Sequence, residues 1–475
     1  MTLSFANMAT SLTGLDSVKH LINSDASVER PSRWSDTNIE RPALILTPKT
    51  EQDVQAALRV AKANNLTVVA SGGGHGTFVT VSPQTLYLDM KEFKTIELNK
   101  EKGTVRVGGG VVTGELSKAL AKEGYYTPLP NSNAVGVVGC VIGGGNTPLN
   151  GLHGWMADIV VSFRVVTAGG DILEVSSSST GKELTLFNAL CGAGHGLSII
   201  MSIETSAYPI ADLNMAEGKV WTRSLIFPVS AIDTAAQLFM DLLRPPPAAS
   251  ITLLGMRSPP GTPAAGAPII VLGYSYFGPA EEAEKHATLL FQEDVVSKAV
   301  MANTLFVPME NINDKLDPLN THGGHKAIAS CRLEKTNIEA IKNAFQLWLS
   351  VTTKYPDSQK SPLALSSLNS TKPTELGQGH PGSVKFVEGR NRDISAQIVT
   401  ICEKEETMAA LTGFMDDTVA ELRKGDPESV PRSFPNNLRF GINLEEMFDE
   451  ERLAELREVK KLWDAEGLFW SPFEV

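Results

Sequence analysis

The chain has 475 residues, 42% of them apolar, and its 42 basic against 54 acidic side chains give a formal charge of −12. That length exceeds the usual single-core limit, so two domains are expected, each large enough to bury an interior. The acidic balance repels phosphate backbones and anionic lipid, which argues against nucleic acid and membrane surfaces as partners.

Residues 1–25 lack a basic segment followed by an apolar run, and nowhere do about twenty apolar residues follow one another. The expectation is a cytoplasmic protein without an export signal. From Pro42 to about Ile210, amphipathic helices alternate with short apolar strands. The pattern predicts helices over 51–64, 114–122 and 182–190, and strands over 86–90, 104–107, 159–166 and 198–208. After Pro209 the composition shifts. Arg244-Pro245-Pro246-Pro247 and Ser258-Pro259-Pro260-Gly261 interrupt the chain where helices would otherwise continue. Beyond them the pattern predicts a strand over 268–276, one helix over 280–292, a long helix over 337–355 and a strand over 395–402. Helices laid on an antiparallel sheet fit that order. A charged amphipathic helix over 450–462 precedes Leu468-Phe469-Trp470, whose apolar side chains call for docking on another element. The four cysteines are scattered, with neither a CxxC pair nor a disulfide-framework spacing, so free thiols are expected.

The stretch richest in chemistry is Ser71-Gly72-Gly73-Gly74-His75-Gly76, which follows the β-branched run Thr67-Val68-Val69-Ala70. Glycines at a strand end permit φ > 0 and let successive N–H groups converge on a diphosphate. Four further clusters follow: 108–110, 136–145, 150–154 and 192–196. The last formally reads G-x-G-x-G but leaves a helix and enters a strand, the reverse of a dinucleotide-binding strand-turn-helix. Several glycine loops in one domain suit an elongated cofactor lying against backbone. His322-Gly323-Gly324-His325 has H-x-x-H spacing but no third ligand nearby in sequence, so it reads as a substrate loop rather than a metal site. His380, Arg390 and Arg392 carry no assigned role at this level.

The ordered set from Arg41 to Pro48, Ser71 to Gly76, Gly143 to Gly154, Asp158 to Val160 and Gly192 to Ile200 resembles the FAD-binding domain of vanillyl-alcohol oxidase and berberine-bridge-enzyme-like flavoproteins. The likeness covers about residues 38–211, and the tail Lys461 to Phe469 is similar to that family's closing segment. It implies an α+β chain: a two-part PCMH-type FAD-binding domain from residues 1–211 and 430–475, and a substrate domain over 212–429 with an antiparallel sheet covered by helices.

The resemblance also implies a set of residues. His75 stands where the family bonds to the flavin 8α-methyl carbon. Ser71, Gly72, Gly73, Gly74, Gly76, Val137, Gly139, Cys140, Gly143, Gly144, Asn150, Gly151, Gly194, Ile200 and Phe469 fall at cofactor-contacting positions. Val137 occupies the place of a second, cysteinyl attachment, so a single linkage is favoured; a short gap would instead bring Cys140 into that register. Asn436 matches the asparagine of a Tyr-x-Asn motif, but Phe434 replaces its catalytic tyrosine, and His153 is put forward as general base in its stead. Gly467 replaces an asparagine before the terminal Leu-Phe. The implied activity is oxidation of a small organic substrate, with O2 as the expected acceptor and an intermediate of specialised metabolism preferred over a sugar. A dehydrogenase or a flavin-scaffolded non-redox catalyst of the same fold is the alternative. No metal is expected, and oligomeric state is not legible.

Overall fold

A computed structural model describes residues 12–22, 30–262, 264–378, 385–439 and 441–473. His380 lies outside them. The first lobe opens on strand β1 (Leu44–Leu46), helix α1 (Glu51–Ala63) and strands β2 (Thr67–Ser71) and β3 (Thr85–Asp89), which form a parallel sheet ordered β1-β3-β2. α1 starts where Thr50 and Asp53 cap each other: the Asp53 amide donates to Thr50 Oγ1 (3.1 Å), and the Thr50 amide to Asp53 Oδ2 (2.9 Å). Its stripe Val54, Ala57, Leu58, Ala61 packs with Val68, Leu86 and Leu88 of the sheet.

The chain then builds a five-stranded antiparallel sheet, β4-β5-β9-β7-β8, from β4 (Ile96–Asn99), β5 (Thr104–Gly108), β7 (Val160–Val166), β8 (Ile172–Ser176) and β9 (Ile199–Ser206). A two-stranded ribbon, β6 (Tyr125–Tyr126) with β10 (Tyr208–Pro209), lies beside it. Helices α2 (Thr113–Lys122), α3 (Val137–Ile142), α4 (Asn150–His153) and α5 (Gly181–Ala193) connect these strands. α5 breaks at Gly192, φ 120°, where an added Cβ would sit 1.8 Å from the Phe386 carbonyl oxygen, so only glycine fits.

Residues 219–402 supply every strand of a seven-stranded antiparallel sheet, β14-β11-β13-β12-β16-β17-β15. Its strands are β11 (Lys219–Pro228), β12 (Ala249–Arg257), β13 (Pro268–Tyr276), β14 (Met301–Pro308), β15 (His325–Leu333), β16 (Leu363–Leu368) and β17 (Ile394–Cys402). Helices α6 (Ile232–Asp241), α8 (Ile338–Lys354) and α10 (Glu405–Arg423) cover one face, burying Phe239, Phe345, Trp348 and Phe414 against Leu253, Leu365 and Ile398.

The sequence pattern and the structure part company at one expected helix. The helix expected over 280–292 divides: α7 (Ala280–His286) ends at Ala287, and a 3-10 turn, Thr288–Phe291, follows. The proline runs interrupt helix, as expected, and strands follow them. Pro245-Pro246-Pro247 leads into β12, and Pro259-Pro260-Gly261 turns the β12–β13 hairpin, because proline cannot donate into a ladder but fixes φ for a turn.

The last helix, α11 (Glu450–Trp463), returns the chain to the first lobe, with α9 (Thr371–Gly377) lying earlier beside α4. Leu468 to Trp470 then runs parallel to β2: the Val68 amide donates to Leu468 O (2.8 Å) and the Trp470 amide to Val68 O (3.0 Å). No helix among the described residues is long and apolar enough to cross a membrane.

Candidate cofactor and substrate site

Strand β2 delivers the Gly72–Gly76 loop to the junction of the two small sheets. Three backbones meet there. A Cβ on Gly72 would lie 2.6 Å from Gly109 O, and one on Gly73 would lie 2.4 Å from Gly136 N, so side chains are excluded where the lobes converge. Gly72 is nonetheless exposed on its other side. Among the described residues, the amides of Gly72, Gly73, Gly74, His75 and Gly76 donate to no protein acceptor. Five consecutive unspent N–H donors on an accessible loop form the kind of nest that a diphosphate occupies.

His75 closes this loop, stacked on Trp34 with ring centroids 5.2 Å apart and an interplanar angle of 13°. Neither ring nitrogen has a hydrogen-bond partner among the described residues, and Nε2 is fully shielded from solvent, which leaves Nδ1 as the nitrogen reaching open space. Burial, helped by the positive charges of His322, Arg33 and Lys326, pushes its pKa down to about 3. The imidazole is therefore neutral, with a free lone pair, at any ordinary pH.

The groups that hold this corner come from distant sequence. Arg33 donates to Ser71 Oγ (3.4 Å), Tyr87 OH (3.2 Å) and Gly76 O (2.8 Å). Lys326 donates to the carbonyls of Trp34 (2.6 Å), Thr321 (2.8 Å) and Gly323, and lies 5.2 Å from the centre of the Trp34 ring. His322 accepts from or donates to Ser32 Oγ at 2.8 Å and meets His75 edge-on. Sequence reasoning missed Arg33, Trp34 and Lys326. It placed His322 on a loop, and the structure sets that loop beside His75.

α3 lies opposite, with Gly139 exposed and nothing within 4 Å of where its Cβ would be. Val137 and Cys140 face the core. Burial pushes the Cys140 thiol up to about 12, so it is protonated as it stands. Asn436 ties the returning segment to this helix: Nδ2 donates to Gly139 O (3.1 Å) and Cys140 O (3.0 Å), and Oδ1 accepts from the Gly145 amide (3.3 Å). Its side chain is spent on positioning. Gly143 sits under it, where a Cβ would meet Asn436 Nδ2 at 2.2 Å, and Gly144 packs on Trp155. Gly194 is committed to packing as well, its amide donating to Ile142 O (2.9 Å), and buried Ile200 presents its carbonyl to Gly109. Asn150, 2% exposed, accepts from the Thr147 amide (2.9 Å), while Gly151 lies against the Pro247 backbone. Phe469 is buried against β2.

His153 is engaged on the β6/β10 ribbon. Its Nε2 shares a 2.9 Å hydrogen bond with Tyr126 OH, and its ring stacks on Tyr208 at 3.9 Å. Phe434 is buried against Trp155, 5.3 Å between ring centres, which makes the position an apolar wall.

This geometry defines a class, a protein with an amide loop able to hold a diphosphate, set where two small sheets meet the edge strand of a large antiparallel sheet. Comparison with known proteins gives the cofactor. Residues 42–176 match the FAD binding domain family. The chain is 31% identical over 323 residues to the FAD-linked oxidoreductase tazG of Aspergillus terreus, covering 66% of this chain and 62% of that protein. It is 25% identical over 452 residues to the FAD-linked oxidoreductase hasG of Aspergillus fumigatus, covering 92% of each. Among solved structures, Physcomitrella patens BBE-like 1 superposes with a TM-score of 0.77 at 18% identity, covering 99% of this chain and 98% of that one. The Acremonium strictum glucooligosaccharide oxidase gives 0.77 at 18% identity, covering 98% and 97%. The chain thus carries an FAD binding domain, is similar in sequence to FAD-linked oxidoreductases, and shares the fold of the BBE-like 1 and glucooligosaccharide oxidase structures.

The site fits FAD on its own terms: a nest of unspent amides for the diphosphate, and a neutral imidazole at its end.

Proposed function

We propose that this chain oxidises a small organic substrate with FAD bonded to His75, the electrons passing on to O2. The observation that carries this is His75 itself, an unprotonated imidazole without a protein partner, at the end of the amide loop. A relative in fold, the glucooligosaccharide oxidase from Acremonium strictum, is described by its 6-S-cysteinyl, 8α-N1-histidyl FAD. The nitrogen that His75 presents to open space is the corresponding one. The second attachment is not proposed, because Val137 is apolar and the Cys140 thiol is buried and protonated.

When bound, FAD supplies hydride acceptance and a route to oxygen. The protein's own residues supply position. Arg33 and Lys326 hold the strand ends around His75 and keep its lone pair free, and Asn436 fixes α3 against the returning segment. Phe434 and Trp155 form an apolar wall that excludes water and carries no proton-accepting group, so substrates that need a strong base at that point are disfavoured. That absence favours an intermediate of specialised metabolism over a sugar.

The test is the visible spectrum of purified protein before and after acid precipitation, followed by air reoxidation of the reduced form. Yellow colour in the pellet and rapid reoxidation support the proposal. A slow return to the oxidised spectrum would make the protein a dehydrogenase.

A further inference from the structure

The seven-stranded sheet has two edges, and the chain treats them differently. On β15 the edge is answered from within: the Lys326 amide donates to Ser35 Oγ (3.0 Å), Ser35 Oγ donates to Lys326 O (2.7 Å), and the Arg332 amide donates to Arg432 O (2.9 Å). β14, at the other edge, pairs with β11 alone, and among the described residues no strand lies on its outer side. An unpaired edge presents a row of backbone donors and acceptors that a further strand can use, and proteins that stay apart guard it with charge, proline or a bulge. β14 is unguarded: Met301–Pro308 reads MANTLFVP, with no charge and with proline only at its end, and it pairs with β11 in unbroken register.

The edge is also apolar. Five of the ten strongly exposed large apolar side chains among the described residues gather here, namely Phe291, Val300, Met301, Leu305 and Phe306, each 41–68% exposed. They lie on both faces of the strand. Phe306 pairs in register with Trp221 of the helix-covered core, and Phe291 lies near the same indole (6.3 Å between ring centres) and over the Arg223 guanidinium at 4.2 Å. Met301 and Leu305 alternate onto the opposite face, level with Ile226 and Thr222. A docked helix covers one such face. An added strand covers both, because its own side chains alternate.

The exposure is symmetric about Asn303, itself exposed. An antiparallel copy of β14 centred there sets Met301 against Leu305 and brings Phe306 level with Val300, so exposed apolar side chains meet one another on either side of the axis. That self-matching is what a two-fold contact requires. Five such side chains from each copy, together with the paired backbone, remove on the order of 1,000 Å² from water, the size at which a specific interface begins. Each copy carries a formal charge of −12, and an uncharged strand is where two such chains meet with least repulsion.

We infer that β14 is a dimerisation strand: two copies of this chain join edge to edge about a two-fold axis at Asn303, and the two large sheets become one.

The test is the mass of the purified full chain by light scattering during size exclusion, over a range of concentrations. The mass of two chains is expected, with dissociation on dilution. Asn303→Lys, which sets two ammonium groups against each other on the axis, should weaken the dimer at least tenfold and leave the circular dichroism spectrum unchanged. Asn303→Cys should be joined by a short bismaleimide into a covalent dimer, against a low background because the four native cysteines are buried. A single-chain mass at every concentration, a dimer as tight in Asn303→Lys as in the parent, or a dimer that Asn303→Cys does not cross-link overturns the inference. If Asn303→Lys does not fold, the parent's mass and the cross-link decide. None of these readings depends on bound flavin, so their failure leaves the oxidoreductase reading intact.

Discussion

His75, His153 and His195 are partly buried and held neutral, and the protein's acid sensitivity follows from them. His195 packs edge-on against Phe78 with Nδ1 unpartnered, and burial pushes its pKa down to about 4; His153 is likewise pushed down to about 4 by burial, with a smaller contribution from Lys372. An unfolded histidine titrates near 6.5. Below that value the unfolded chain takes up protons that the folded one refuses, so stability is complete above pH 6.5 and is lost as pH falls toward 4. Each such histidine should raise the unfolding constant about tenfold per pH unit in that window. Denaturant unfolding at pH 7 and pH 5 should show a lower midpoint at pH 5, and His195→Gln should remove one histidine's share of the difference. An unchanged slope in that variant would contradict the assignment. For Cys140 the expectation is inertness: Cys140→Ala should keep bound flavin, and iodoacetamide should leave the native thiol unmodified, as peptide mapping would show. At this scale the sequence displayed His75 and the glycines plainly, because backbone without side chains is visible as composition. It could not display Arg33, Trp34 and Lys326 around His75, since Ser32 and His322 meet across 290 positions.

Elements with a local cause were legible, and those whose cause is tertiary were not. α1 carries its own cap and stripe, and the 268–276 strand contains the apolar run Ile269 to Leu272, so both could be read directly. β11 could not: Arg223 interrupts its alternation, and only the fold explains it, since Nε and Nη2 donate to Leu290 O at 3.3 and 3.0 Å. The helix expected over 280–292 failed because its periodicity continues past Ala287 while the backbone turns there. The docking of the tail was readable from its apolar residues, but its fastening was not. Asp464, 3% exposed, accepts from the Leu468 (2.8 Å) and Phe469 (2.9 Å) amides and pairs with Lys460 at 2.6 Å, while Lys460 also donates to Gly196 O (2.7 Å). Removing one partner of a buried pair strands the other, at a cost of about 3–5 kcal/mol. Asp464→Ala should therefore destabilise by that order in chemical denaturation and speed hydrogen exchange at the Val68 amide, which bonds to Leu468 O. Exchange at Val68 as slow as in the parent would show that the tail docks without this pair.

Over the whole molecule, the cofactor lobes and the sheet are joined by charge as well as by apolar packing. The Asp158–Arg390 pair, with side chains 4% and 10% exposed, and Lys385, which donates to Ala157 O (2.6 Å) and Asp158 O (3.0 Å), clamp the segment following α4 to the loop before β17. Fold class was legible at this scale, because the order of glycine clusters and the late return of the chain are properties of the whole sequence. Everything rests on FAD joined to His75. The most direct measurement is the intact mass of the purified protein beside that of His75→Ala, with peptide mapping of any modified segment. The account predicts an excess of one FAD in the parent, carried on the peptide containing His75, and none in the variant. A parent at its bare polypeptide mass, or a flavin mapped to any other residue, would contradict it.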